Sequence, residues 1–289
     1  MNNIILLATY WNEKDFVSAS LEQIDKIDPL EVIICDGCFD PKKRIHSTDG
    51  TYEILKKYVK QRRNEGKQIR LISPQRRSLI GAFFSLLRMN MKTSVFSILR
   101  PARWRIIRHG ICAHAYRRNQ AITFNYMIGI SKYWKPGRWV MMYDSDQFYS
   151  DKLIKNFKNA CEKDGLGLIT AKELTFFNSF SEYTEEYEKR QWNNLPHRIY
   201  SNTVLIPTRN MFIETFFSFK EYSSTVLKQY CGNYFHYKLP RGNRYAESYS
   251  VGDRKRPLLR KYMFKRFTGK HPLVIRNHFE KQIWRDMKQ

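Results

Sequence analysis

The sequence predicts an α/β fold: a Rossmann-like, mostly parallel sheet flanked by helices, with a basic helical insertion and a basic C-terminal region. Apolar runs of strand length alternate with segments whose hydrophobic residues recur every three to four positions. The runs are continuous rather than alternating, as strands buried on both faces require. Several end in acidic or polar residues, and the carboxyl ends of such strands are where open α/β sheets hold ligands.

Taken in order, Ile4 to Tyr10 reads as a buried strand that ends in Trp11-Asn12-Glu13. Val17, Leu21, Ile24 and Ile27 then mark a helix stopped by Asp28-Pro29, and Glu31 to Cys35 is a second strand reaching Asp36-Gly37. Short connections between them imply a right-handed parallel crossover. Residues Cys38 to His46 are basic and irregular. Ser47, Thr48 and Asp49 are placed to cap a helix carrying Ile54, Leu55, Tyr58 and Val59, whose N-terminus would favour an anion. Ile69 to Ser73 is the third strand.

The alternation breaks between Gln75 and Arg118, which holds ten Lys or Arg, nine of them Arg, and no acid. Phe83, Phe84, Leu86, Leu87, Trp104 and Ile106 lie between the charges, so the segment reads as one or two basic amphipathic helices. Such a face can lie on anionic lipid or grip a phosphate backbone while aromatics stack on bases. The plainer alternative is a helical hairpin packed on the domain with a solvated basic rim.

Arg118-Asn119 opens a helix through Tyr133 with Ala121, Phe124 and Ile128 on one face, ended by Pro136-Gly137. Trp139 to Tyr143 is a buried strand running into Asp144-Ser145-Asp146. Leu153, Phe157 and Cys161 mark a helix, and Gly165 to Thr170 and Ile199 to Pro207 are strands. Glu182, Glu185, Glu186 and Glu188 are expected on a polar helix with Trp192 near its end. From Lys238 to Arg276 there are twelve Lys or Arg against two acids. Residues 1–175 form the expected ligand-binding half, containing the insertion at 75–118, and 176–289 the second half.

At 289 residues and a formal charge of +24, the chain can bury a real core and attracts polyanions: nucleic acid, anionic headgroups or phosphate-rich substrates. Neither a signal-peptide pattern nor an apolar run of membrane-span length is visible. A cytoplasmic protein is expected, at most peripheral to the inner membrane, with no obligate protein partner. Five scattered Cys fit a reducing compartment. Cys35 and Cys38 form a C-x-x-C, whose redox reading is the minor one because Cys35 sits in a strand.

Two carboxylates one residue apart at a strand end, Asp144 and Asp146, could share a hard divalent cation that neutralises a diphosphate. The bland alternative is a turn whose acids cap the next helix. The surrounding motifs decide between the two. Thr9-Tyr10-Trp11-Asn12-Glu13, Asp36-Gly37, Ser47-Thr48-Asp49-Gly50-Thr51, Arg118-Asn119 and Asp144-Ser145-Asp146, in that order and on those elements, resemble the GT-A glycosyltransferases of the family 2 type. The resemblance covers roughly residues 4 to 175.

The resemblance implies a nucleotide-sugar donor, expected to be a UDP-sugar, held across the first strands. It implies Thr9, Tyr10 and Glu13 near the nucleotide, Asp36 near the base and Arg118 near the donor. Asp144, with Ser145, is expected at the ribose, and Asp144 and Asp146 at a Mg²⁺ or Mn²⁺ ion. His236, in Tyr-Phe-His-Tyr, is a further candidate metal or phosphate contact, against a plain core or surface histidine.

Two departures from the family stand out. Its members usually run directly from the second-strand Asp to the Ser-x-Asp-Gly-Thr motif, whereas here Cys38 to His46 intervenes. Inverting members also carry a Glu-Asp pair whose carboxylate deprotonates the acceptor, and no Glu-Asp dipeptide occurs in this chain. Candidates for that base are Glu182, Glu185, Glu186, Glu214, Glu247 and Asp253, with Glu247 preferred because it sits among basic and aromatic residues.

For the acceptor, the charge and the Arg content favour DNA, as in bacteriophage enzymes that glycosylate hydroxymethylated pyrimidines. Arg76, Arg77, Arg103, Arg105, Arg108, Arg254, Lys255 and Arg256 are the candidate contacts. The alternative is an enzyme of envelope polysaccharide or lipopolysaccharide synthesis with Gln75 to Arg118 on the inner leaflet. A third reading is a nonenzymatic nucleic-acid-binding protein.

Overall fold

Ile4–Tyr10 (β1) is apolar at almost every position, and the fold divides it by parity because successive strand residues point to opposite faces. Ile4, Leu6, Ala8 and Tyr10 pack on one face, Ile5 and Leu7 on the other. In the computed structural model, the residues described are 4–78, 80, 116, 119–120, 122–134, 138–163, 166–177, 179–185, 197–201, 227–238 and 263–288.

One face is covered by Lys14–Ile27 (α1), Thr51–Asn64 (α2) and Asp151–Cys161 (α3), through Val17, Leu21, Leu55, Leu153 and Phe157. The other is covered by the helical residues 122–129 through Phe124, Met127 and Ile128. Full burial of a Leu or Ile side chain stabilises by about 1.5–3 kcal/mol, so a strand buried on both faces anchors the fold. The stop at the end of α1 is local: Asp28 adopts a left-handed φ of 50°, its N–H bonds to the Ile24 carbonyl, and Pro29 follows.

The further strands are Glu31–Asp36 (β2), Ile69–Ile72 (β3), Trp139–Asp144 (β4), Gln147–Phe148 (β5), Leu166–Phe176 (β6), Glu182–Thr184 (β7), His197–Ser201 (β8), Leu227–Tyr237 (β9) and Lys265–Arg266 (β10). Among the described residues these strands make one sheet, with β3, β2, β1 and β4 parallel and adjacent in that order. β8 and β6 continue it antiparallel, followed by β7 and β10. β9 pairs parallel with β6 and antiparallel with β5. The sheet therefore runs across the expected boundary at residue 175, which falls inside β6. Among the described residues, no helix is long and apolar enough to cross a membrane.

The α/β alternation and the parallel core match the sequence reading, and several elements differ from it. Glu182 lies on strand β7 instead of a polar helix, because Tyr183 packs on Phe176 and Phe267 and the backbone pairs with β6. β6 runs six residues past Thr170. The helix opened at Asn119 gives way to a turn at Ile130, short of Tyr133. Leu273–Lys288 (α4) is a helix that the basic composition of the region concealed. Most of 75–118, residues 202–207, and Glu186, Glu188 and Trp192 lie outside the described residues.

Buried Val274 and Ile275 of α4 join a third core with Phe16, Phe148, Phe176, Phe180, Phe235 and Tyr237. His271 sits at its edge, against Phe176, Phe180 and Phe267, with Nδ1 2.7 Å from the Tyr237 hydroxyl. Burial pushes its pKa down to about 4, so the folded state holds the ring neutral. A depressed histidine pKa means the unfolded chain binds the extra proton first. Stability from this residue is therefore complete above the ordinary histidine pKa and falls as pH drops towards 4, by about 3 kcal/mol at most. Urea unfolding between pH 7 and 4.5 is expected to show a shallower acid loss for His271→Leu than for the native chain.

Candidate functional site

The chain steps outward from β1 to β2 to β3 and then returns to the other side of β1 as β4. This reversal leaves a crevice at the carboxyl ends of β1 and β4. Register sets what meets there: Thr9 lies level with Cys35 on one side and Asp144 on the other. A pocket of about 150 Å³ opens at this point. Thr9, Tyr10, Trp11 and Glu13 from β1 and its turn line it, together with Asp144, Ser145 and Asp146 from the turn between β4 and β5. His236 and Lys238, at the end of β9, line it as well, with Tyr116 and Gln120.

Asp144 is half-buried, with Oδ2 accepting from Gln147 Nε2 at 3.1 Å and Oδ1 3.5 Å from the Thr9 hydroxyl. Asp146 is 5% exposed, its carbonyl accepts from Tyr237 N–H at 2.9 Å, and its Oδ2 lies 3.2 Å from His236 Nε2. The other ring nitrogen of His236 lies 2.8 Å from Glu173 Oε1. Burial alone would lower the His236 pKa, but the carboxylates of Asp146 and Glu173 outweigh it and hold it up at about 9. A carboxylate therefore stands at each ring nitrogen of His236. His236, the candidate metal or phosphate contact of the sequence reading, is buried on the pocket wall between these two carboxylates.

Among the described residues, no group of three or more His, Cys, Asp or Glu side chains is arranged to hold a metal ion. The donor set still fits a cation of the Mg²⁺ type, which takes one or two protein carboxylates and completes its shell with substrate phosphate and water. Asp144 and Asp146 supply hard oxygens on one wall of the pocket.

The second strand's acid has a different role from the one the motif order suggested. Asp36 is fully buried and does not line the pocket. Its Oδ1 accepts from the Ser47 hydroxyl at 2.5 Å, and its Oδ2 accepts from Ser47 N–H at 3.2 Å and lies 3.1 Å from His46 Nδ1. Burial raises its pKa, and the bonds from Ser47 and His46 oppose that shift. Residues 47–51 sew the two strand ends together. Asn12 N–H donates to Ser47 Oγ, Glu13 N–H to Thr51 Oγ1, Lys14 N–H to Asp49 Oδ2 and Thr48 N–H to Asn12 Oδ1. The helix cap itself is Gly50, with Asp49 Oδ1 accepting from Thr51 N–H. Gly37, at φ 147°, lets the next turn pass where a Cβ would collide with the Ile45 carbonyl and the Pro74 ring.

Other expected contacts are also redirected. The Tyr10 hydroxyl turns into the core to Ser20 at 2.7 Å, so it is the backbone of this residue that borders the pocket. Arg76 donates through Nη1 to the carbonyls of Asp40 at 2.9 Å and Lys43 at 2.8 Å, which ties it to the 38–43 loop. Arg77 is exposed. Cys35 and Cys38 are free and buried, and burial raises both thiols, Cys38 to about 11, which opposes thiolate chemistry. Glu185 pairs with Lys172 and Lys265. Arg103, Arg105, Arg108, Arg118, Glu214, Glu247, Asp253, Arg254, Lys255 and Arg256 lie outside the described residues. Sequence reasoning passed over Lys238, Gln147 and Glu173 as site residues, although Glu173 is the one acid in the strand sequence of β6.

No family model matches the chain, and no curated protein sequence matches it.

The Asp36 brace has a measurable consequence. Ser47→Ala removes the hydroxyl that satisfies a buried carboxylate, and is expected to lower stability by about 1–3 kcal/mol in urea unfolding.

Proposed function

We propose that the chain is a metal-dependent glycosyltransferase that moves a sugar from a nucleotide-sugar to a hydroxyl of a polyanionic acceptor. The observation that supports this most is the pocket at the β1–β4 reversal, which gathers Thr9, Glu13, Asp144, Ser145 and Asp146 at one strand end. These are residues of the motifs that resemble the GT-A enzymes, brought together from positions far apart in the chain.

In this reading the nucleotide lies along the ends of β1 and β2, against Trp11, Gly37 and Phe39. Asp144 and Asp146 would hold Mg²⁺ or Mn²⁺, which when bound supplies charge neutralisation at the departing diphosphate. Lys238, 6% exposed on the pocket wall, adds positive charge on the same side. His236 offsets one of the two aspartates, so the wall is less repulsive to an anionic donor. The acceptor hydroxyl attacks the anomeric carbon, the bond to the diphosphate breaks, and the hydroxyl proton passes to a base for which Glu247 remains the candidate. The charge of +24 favours a polyanionic acceptor, and hydroxymethylated pyrimidines in DNA are the preferred one.

The test is nucleotide release from UDP-sugars with Mn²⁺, comparing hydroxymethylated duplex DNA with membrane extract as acceptor. Turnover is expected with the DNA, and stimulation by the extract alone would reject the DNA acceptor. Asp146→Ala is expected to cut metal-dependent turnover by about 100-fold or more, since cation stabilisation of the leaving group is worth several kcal/mol. Unchanged turnover would reject the metal assignment.

A further inference from the structure

Behind the pocket, polar side chains on β6 and β9 form an unbroken chain leading inward from Asp146. His236 touches Asp146 through Nε2 at 3.2 Å and Glu173 through Nδ1 at 2.8 Å. Glu173 Oε2 accepts from the Tyr234 hydroxyl at 2.6 Å, and the Thr175 hydroxyl donates to Oε1. The register makes this possible: Glu173 lies beside Tyr234, Thr175 beside His236, and His236 opposite Gln147. Tyr237 N–H holds the Asp146 carbonyl as well, so β9 ties down both the backbone and the side chain of that residue.

Glu173 is 3% exposed and is not among the residues lining the pocket, whereas its partner His236 is. Burying an ion pair costs several kcal/mol per ion, and an apolar residue of similar volume is often no worse for stability. Core filling therefore gives no account of a carboxylate at this position. A carboxylate on a short turn samples several rotamers unless something anchors it, and a ligand loses affinity when the side chain that meets it is loosely held. Anchoring by outer hydrogen-bond partners is the usual remedy, and their removal costs 10–100-fold in metal affinity.

We propose that Glu173 is a positioning residue for the donor site: it fixes the His236 ring, and the ring fixes the Asp146 carboxylate against the pocket. This rests on the donor-site reading above and adds a residue that the sequence motifs do not contain.

The experiment is a Mn²⁺ titration of the full chain with UDP present, followed by the paramagnetic resonance of free Mn²⁺, with thermal unfolding in chelator as control. Glu173→Gln keeps the volume but offers the ring a neutral acceptor, and is expected to weaken Mn²⁺ binding by roughly 10–100-fold while remaining folded at the assay temperature. Tyr234→Phe removes one hydroxyl and keeps the ring packing; a loss of roughly threefold in the same direction is expected. A merely structural role would lower the unfolding temperature and leave Mn²⁺ affinity where it was. That result in folded Glu173→Gln overturns the positioning role and leaves the donor site standing. A native chain that binds no Mn²⁺ with UDP present overturns both. Should Glu173→Gln fail to fold, Tyr234→Phe decides, and native Mn²⁺ affinity in it overturns the proposal.

Discussion

The parallel register of β1 between β2 and β4 is the constraint on which the rest of the molecule depends. It aligns Thr9 with Cys35 and Asp144, and so brings three strand ends to one level. β1 can hold that place because both of its faces are apolar and covered, which makes a slip in register costly: one residue would exchange its two buried sets. The crevice follows from topology, since β4 joins the side of β1 away from β2. The network of residues 47–51 then fixes the rim by bonding the turn after β1 to the start of α2.

Charge at the site is arranged by depth. Asp36 is the innermost acid of the parallel strands and is held by Ser47 and His46. Asp144 and Asp146 reach the pocket, and the Asp146–His236–Glu173 chain places a cation between two carboxylates. An isolated buried carboxylate is costly, and the imidazole set between Asp146 and Glu173 gives each of them a hydrogen-bonding partner. The same arrangement sets His236 on the pocket wall between the two acids.

Periodicity is a local property, and what depends on it was legible in advance. The continuous runs at Ile4 to Tyr10 and Trp139 to Tyr143 announced buried parallel strands, and Asp28-Pro29 announced the end of α1. Misreadings came where a long-range partner overrode composition. Glu182 looked like part of a solvated helix until Tyr183 found Phe176 and Phe267. The helix Leu273–Lys288, which begins inside the basic stretch from Lys238 to Arg276, was not read from the sequence; Val274 and Ile275 seat it on the aromatic core.

By itself the sequence determined the strand and helix alternation, the parallel core and the acidic residues at the strand ends, because each is written in neighbouring residues. Only the tertiary structure decided which acid serves what. Asp36 turns inward to Ser47, Asp146 turns to the pocket, and Glu173 stands behind His236. Asp36 and Ser47 lie 11 residues apart, Asp146 and His236 90, and Glu173 and His236 63; the loop before α2 brings the first pair together, and the pairing of β9 with β5 and β6 brings the other two within hydrogen-bond reach.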